Sequence, residues 1–409
     1  MSTPDVIRPA SRAEHIRYAV RDIVVLAQQT AKTGKEMLYL NIGDPNQFDF
    51  VTPRHIVDAI YKAMLENQNG YSPSSGIKPA VAAIEREAQR KGIANILDIF
   101  VTTGASEAIE ICLTALVNRG ENVLIPEPGY PLYNAILAKL EAVENPYYLD
   151  ESNGWQPSLK DIAAKINDKT RAIVLINPNN PTGSVCHEDT MRGLIRLAKE
   201  RNLVIFADEI YDKLILDDRR HVSIASLDPD ASCITFNGLS KSYIAPGFRI
   251  GWGIVSGRQA AMRAYIEAIN KILRARLCAN HPIQFGIEAA LGENQEHLPE
   301  VLAKLRRRRD ITTDRLNAIP GISCVRAEGA FYAFPRLHIE EPDELFVSEL
   351  IRETGVVVVP GSGFGQVPGT RHFRVVFLPT EEVLEKAFSQ IERFMLQWRE
   401  KHPPKSAAA

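Results

Sequence analysis

Lys241 lies in the run Asn237-Gly238-Leu239-Ser240-Lys241-Ser242-Tyr243, between two strand-like segments, Cys233 to Phe236 and Ile250 to Val255. A lysine amine becomes a covalent catalyst when its surroundings lower its pKa and an aldehyde is held beside it. At the end of an apolar strand this lysine points toward a site, unlike one spread along a solvated helix face. Arg249 follows eight residues later. Its planar, permanently charged guanidinium is the donor set that a phosphate monoester prefers.

Three upstream segments add to this pair. Thr103-Gly104-Ala105-Ser106-Glu107 separates a strand-like run from a helical one. Glycine permits the tight turn, and the N–H groups of a helix start can cradle a phosphate. Taken alone, the segment reads first as a plain helix cap by its serine, Ser106. Asn177-Pro178-Asn179-Asn180-Pro181-Thr182-Gly183 follows a buried run. Its two prolines restrict the loop more than a turn requires, so Asn180 can present its amide from a rigid position. Ala207-Asp208-Glu209-Ile210-Tyr211 ends the next strand. Asp208 can cap a following helix there. Paired with Tyr211, it can instead hold a protonated ring nitrogen while the phenol reaches a neighbouring ring oxygen. Together these parts suit an aromatic aldehyde with a phosphate and a ring nitrogen, and pyridoxal phosphate requires each of them.

The order Gly104-Ala105-Ser106, Tyr130, Asn180-Pro181-Thr182-Gly183, Asp208-x-x-Tyr211, Ser240-Lys241 and Arg249 resembles that of class I/II pyridoxal-phosphate aminotransferases of fold type I. The likeness extends from about Asn41 through the C-terminal lobe. It implies an α/β protein: a large domain with a mostly parallel seven-stranded sheet flanked by helices, and a smaller α+β domain. Lys241 would carry the Schiff base (the internal aldimine) and shuttle a proton. Asp208 would keep the pyridine nitrogen protonated, with Asn180 and Tyr211 on the phenolic oxygen and Tyr130 stacked on the ring. Ala105, Ser106, Ser240 and Arg249 would hold the phosphate.

Arg374, in His372-Phe373-Arg374-Val375-Val376-Phe377, matches the family arginine that grips the substrate α-carboxylate, and Gly43 would offer a backbone amide to the same group. Tyr71 resembles a tyrosine that reaches the phosphate of a neighbouring subunit, which implies a homodimer with shared active sites. Many members carry a serine three residues before the lysine where this chain has Gly238. Asn41-Ile42-Gly43-Asp44-Pro45, Gly70-Tyr71-Ser72-Pro73-Ser74 and Val359-Pro360-Gly361-Ser362-Gly363-Phe364-Gly365 resemble the alanine aminotransferase branch. The reaction implied moves the amino group of L-alanine to 2-oxoglutarate by a ping-pong cycle. Aspartate, aromatic, branched-chain or methionine transamination and a β-lyase of the same fold are the alternatives. Arg274 and Arg276 fall where dicarboxylate-specific relatives place a second arginine.

The elements that must position these residues are legible as patterns. Ile99 to Val101, Asn122 to Ile125, Ala172 to Ile176, Leu203 to Phe206, Cys233 to Phe236 and Ile250 to Val255 read as buried strands. Amphipathic helices from Glu107 and over His187 to Arg201 lie between some of them. Strands apolar throughout and separated by helices predict a mostly parallel sheet covered on both faces, with ligands beyond its carboxyl ends. Past residue 300 a long helix, short strands (Phe331 to Phe334, Val356 to Val359, His372 to Phe377) and a final helix, Glu381 to Glu400, read as a smaller α+β lobe. The expected division is an arm over 1–48, a large domain over 49–299, a small domain over 300–400 and a disordered tail over 401–409.

Composition excludes other classes. The 409 residues carry a formal net charge of −2, so no global field favours nucleic acid or a membrane surface. An aminotransferase-like transcription regulator would need an N-terminal winged helix, for which the pattern leaves no room. The basic run Arg306 to Arg309 sits in a helical pattern and reads as a solvated face. Five scattered cysteines without a CxxC pair predict neither a metal site nor disulfides, and fit the reducing cytoplasm. The polar start, Met1 to Arg21, shows no secretory signal.

Overall fold

The computed structural model describes residues 7–14, 16, 19–292 and 294–403. Its main sheet has eight strands in the order Ile96–Thr102, Gly251–Ser256, Cys233–Gly238, Val204–Asp208, Thr170–Ile176, Asn122–Glu127, Val143–Asp150 and Gln156–Pro157. The run from Cys233–Gly238 to Val143–Asp150 is parallel throughout. Gly251–Ser256 is antiparallel to both of its neighbours, and Gln156–Pro157 pairs antiparallel at the far edge. The sheet thus has one strand more than the seven expected. Gln156–Pro157 is too short to leave a periodic signature, and its proline suits an edge. Val143–Asp150 escapes an apolar-run reading because it contains Glu144, Asn145 and Pro146.

Successive side chains of a strand point to opposite faces, so each parallel strand feeds two cores. Ile99, Val101, Leu124, Ile173, Leu175, Ile205 and Ile254 pack on one face with helices Arg54–Leu65, Lys78–Arg90, Glu188–Glu200 and His281–Leu291. Phe100, Val123, Ile125, Val174, Phe206, Phe236 and Val255 pack on the other, with helices Ala105–Leu116, Leu132–Lys139 and Gln259–Arg276.

A third core gathers the two ends of the chain. Leu38–Tyr39 pairs in parallel with Val356–Val357. Ile23 and Ala27 of helix Ala19–Ala31 join Leu350, Ile351, Phe388 and Trp398 in one apolar cluster. The long helix is His297–Ala318 and the last is Glu381–Lys401. Lys401, expected in a tail, is therefore helical and bridges to Glu353 at 3.1 Å. Residues 404–409 of that expected tail lie outside the described residues. Among the described residues, no helix is long and apolar enough to cross a membrane.

Only half of the arginine run is a solvated face: Arg306 and Arg307 are exposed. Arg308 and Arg309 are buried on the same stripe as Leu305, Thr312 and Thr313. Arg308 grips both oxygens of Asp49 at 2.8 Å and donates to the Leu378 carbonyl at 2.6 Å. Arg309 donates to Asp217 and Asp310 at 2.7 and 2.8 Å. Helical periodicity marks which residues face inward, but it cannot show that acids from other segments will meet these cations. The Arg308 hydrogen bond holds the Asp49 carboxyl below the ordinary range. Asp49→Ala, which leaves the buried Arg308 with the Leu378 carbonyl and a looser 3.5 Å pairing to Glu381, costs about 2 kcal/mol after discounting for the partial exposure of Asp49. Asp58→Ala, which removes the exposed pair with Arg54, costs less than about 0.5 kcal/mol. Thermal melts of the two variants test this ordering.

Candidate active site

The carboxyl ends of the parallel strands open into a cavity of about 420 Å³, lined on the opposite side by Asn41, Gly43, Tyr332 and Arg374. Asp208 ends the strand Val204–Asp208 at its floor. The carboxylate accepts from Tyr133 Oη at 3.4 Å and from the Ile210 amide at 3.4 Å. Burial pushes its pKa up to about 6. A turn rather than a helix follows Asp208, so it caps no helix.

Lys241 lies on the side wall, where Nζ donates to the Gly43 carbonyl at 2.9 Å. Burial lowers its pKa to about 8; the nearby acid Asp44 opposes that shift, while the cations Arg374 and Arg249 reinforce it. The chain beyond the lysine turns sharply. Ile244 has φ 52°, a left-handed conformation rare for a β-branched residue. Its amide donates to the Lys241 carbonyl at 3.2 Å, and its carbonyl accepts from Thr52 Oγ1.

One end of the cavity is an anion cradle. Helix Ala105–Leu116 begins there, and the first N–H groups of a helix have no partner within it. Ser106 is the second residue of the helix rather than its cap, and the Glu107 carboxylate accepts from the Thr103 amide at 2.6 Å. Arg249 extends Nη2 to Ser106 Oγ at 3.2 Å. Two glycines make the approach possible. A Cβ on Gly104, at φ 81°, would fall 2.4 Å from Arg249 Nη2, and one on Gly251 would fall 2.2 Å from the Ala105 nitrogen. Ser240 lines the same cavity. Gly238 has no room for the serine of other members, since a Cβ would lie 2.6 Å from the Ile250 carbonyl.

The opposite wall carries Arg374, in the strand Phe373–Val376. It is buried, with Nη2 donating to the Asn41 carbonyl at 2.8 Å and Nη1 to Asn180 Oδ1 at 3.3 Å. Tyr332 and Phe364 flank the guanidinium, their ring centres 4.8 and 4.7 Å from its carbon. The Phe364 carbonyl accepts from the Gly129 amide at 2.8 Å, which ties the Val359 to Gly365 loop to the Tyr130 segment.

Gly43, Ala105, Ser106, Tyr130, Asn180 and Tyr211 line this cavity together with the residues above. Tyr71 does not; it is 83% exposed on the outer surface. Neither Arg274 nor Arg276 lines it. Arg274 is exposed, and Arg276 Nη2 donates to the carbonyls of Ser74 and Val101 at 3.3 and 3.1 Å. Sequence reasoning missed Tyr332, whose hydroxyl lies 2.8 Å from that of Tyr211, and Tyr133 beneath Asp208. Each sits in an apolar run that reads as core, and only a spacing of three from Tyr130 hinted at Tyr133.

A cradle for a dianion, a buried carboxylate, a desolvated amine and a guanidinium thus face one volume. Pyridoxal phosphate presents a phosphate, a ring nitrogen and an aldehyde to match the first three, so the residues present fit that cofactor.

Residues 35–391 match the family described as aminotransferase class I and II. The glutamate-pyruvate aminotransferase AlaA of Haemophilus influenzae is 39% identical over 400 residues, covering 96% of this chain and 98% of that protein. An alanine aminotransferase of Mycobacterium bovis is also 39% identical, over 401 residues, covering 96% of this chain and 93% of its own. The solved alanine aminotransferase of Pyrococcus furiosus superposes with a TM-score of 0.93 at 39% identity, covering 95% of this chain and 100% of that one. With the family matched along most of its length and the cofactor's donor set gathered in one cavity, this chain belongs to the class I and II aminotransferases, enzymes that work with pyridoxal phosphate.

Proposed function

We propose that this protein exchanges amino groups between L-alanine and 2-oxoglutarate, giving pyruvate and glutamate in two half-reactions. Identity over nearly the full length with a glutamate-pyruvate aminotransferase carries the choice of substrates. Alanine needs no second arginine for its methyl side chain, whereas the second carboxylate of 2-oxoglutarate, bound in the same site, needs a cation or water there.

The roles of the residues follow from their chemistry. Arg374, with two ring centres 4.8 and 4.7 Å from its guanidinium carbon, would present its fork to the substrate carboxylate, and Gly43 borders the same place. With a pKa near 8, Lys241 has an unprotonated fraction near neutrality, so Nζ can bond covalently to an aldehyde and take a proton from the substrate Cα. Asp208, ionised above pH 6, would hold a protonated ring nitrogen. Asn180 gives its oxygen to Arg374, leaving its NH₂ group for the ring oxygen beside Tyr211. Tyr130 would stack on the ring, and Ala105, Ser106, Ser240 and Arg249 would hold the phosphate. The bound cofactor would supply the electron sink that makes the Cα proton removable.

Residues 1–48 with 300–400 would form the small domain and 49–299 the large one. A homodimer accords with the exposure of the large apolar side chains Val51, Tyr61, Leu65 and Tyr71. Tyr71 would then complete the phosphate site of a second copy. Five free cysteines fit a cytoplasmic setting.

Purified protein with pyridoxal phosphate is expected to form pyruvate from L-alanine and 2-oxoglutarate at higher kcat/KM than with aspartate, phenylalanine, valine or methionine as donor. A preference for another donor in that panel overturns the assignment of alanine. Lys241→Ala should lose the visible band of the bound cofactor and all turnover while keeping its circular dichroism spectrum.

Asp208 also has a stability signature. Its folded pKa, about 6, is raised above the ordinary 3.8, so its contribution is best below pH 3.8 and is lost as pH rises through 6. Without cofactor, Asp208→Asn should therefore be more stable than the parent at pH 8, by up to about 3 kcal/mol, and unfold at a higher temperature. The gap should close as pH falls toward 4. Equal midpoints at pH 8 in calorimetry would contradict the cost assigned to Asp208.

A further inference from the structure

The Tyr332 hydroxyl stands where three chain segments meet. It lies 2.8 Å from the hydroxyl of Tyr211. A Cβ on Gly43 would fall 2.7 Å from it, so the arm passes this oxygen only as glycine. The Gly43 carbonyl in turn accepts from Lys241 Nζ. The Tyr332 ring covers one face of the Arg374 guanidinium. One buried side chain thus touches the Tyr211 phenol, the arm that contacts the lysine, and the substrate-facing cation.

Each phenol carries a single proton. Burial, then the neighbouring Tyr332, holds the Tyr211 proton on far above the ordinary phenol range. Of two neutral hydroxyls in contact, one donates and the other accepts. Were Tyr211 the donor, its proton would be spent on Tyr332 and none would remain for the cavity. With Tyr332 as donor, the Tyr211 proton turns into the cavity, and the bond it receives strengthens the one it gives.

We propose that Tyr332 is a positioning residue that donates to Tyr211, so directing the Tyr211 proton at the ring oxygen of the cofactor, while its ring holds Arg374 flat for the substrate carboxylate. This rests on the reading that Tyr211 faces that oxygen. One side chain then sets both the proton affinity of the Lys241–cofactor linkage and the affinity for the amino acid, through two separable parts, the hydroxyl and the ring.

The test uses protein loaded with pyridoxal phosphate, following its visible absorption against pH and the kinetics with L-alanine. Tyr332→Phe keeps the ring and loses the donor. It should raise the pKa of the Lys241–cofactor linkage by about half a unit and leave KM within about twofold. Tyr332→Leu also removes the ring, so KM should rise about tenfold through the lost contact with Arg374. Tyr211→Phe is the control and should raise the linkage pKa at least as far as Tyr332→Phe. If Tyr211→Phe shifts the titration and Tyr332→Phe does not, the proposal is overturned. If Tyr211→Phe also leaves it flat, the placement of Tyr211 at the ring oxygen falls, and the proposal with it. A KM unchanged in Tyr332→Leu overturns the role of the ring.

Discussion

A carboxylate and an amine share one buried cavity without neutralising each other, and most of the site serves that arrangement. Asp208 accepts from Tyr133, and Lys241 donates to the Gly43 carbonyl. Desolvation pushes the two pKa values toward each other, up to about 6 and down to about 8. A direct salt bridge would satisfy both groups and leave neither for chemistry. Kept apart, each would meet the part of a cofactor ring that complements it, and such a ring would offset the cost of their burial.

Backbone geometry keeps them apart. Asp208 and Lys241 come from adjacent parallel strands, Val204–Asp208 and Cys233–Gly238, which both end at the same edge of the sheet. Asp208 ends its strand directly, whereas Lys241 lies three residues beyond Gly238, on a loop that Ile244 turns through a left-handed conformation. Gly104 and Gly251 perform the corresponding task at the other end of the cavity, letting Arg249 and a strand press against a helix start. Arg374 then lines the cavity from the C-terminal part of the chain, and the N-terminal strand Leu38–Tyr39, paired with Val356–Val357, carries Gly43 to the lysine.

Much of this was visible in the chain itself because it depends on local chemistry. The apolar runs behind six strands, the glycine before the helix at Ala105 and the proline-framed Asn180 each announce themselves within a few residues. Other features were not visible, for reasons that differ. The strand Gln156–Pro157 is too short for periodicity, and Val143–Asp150 is too polar for an apolar-run reading. Arg308 and Arg309 looked solvated because Asp49 and Asp217, which hold them, are distant in sequence. Tyr332 looked like core because its hydroxyl partner, Tyr211, lies 121 positions earlier.

The sequence by itself determined the reactive groups and their order: a lysine, a strand-end aspartate, an asparagine, a tyrosine and two arginines, each in a setting that local rules can read. Tertiary structure alone decided which groups meet. It placed Tyr332 between Tyr211 and Arg374, withdrew Arg274 and Arg276 from the cavity wall, set Tyr71 on the outside, and left no room at Gly238 for a side chain. The physical reason is that a residue's type and neighbours in the chain fix what it can donate, accept or bury. The partner that uses this capacity is supplied by whichever distant segment the packing brings within about 3 Å.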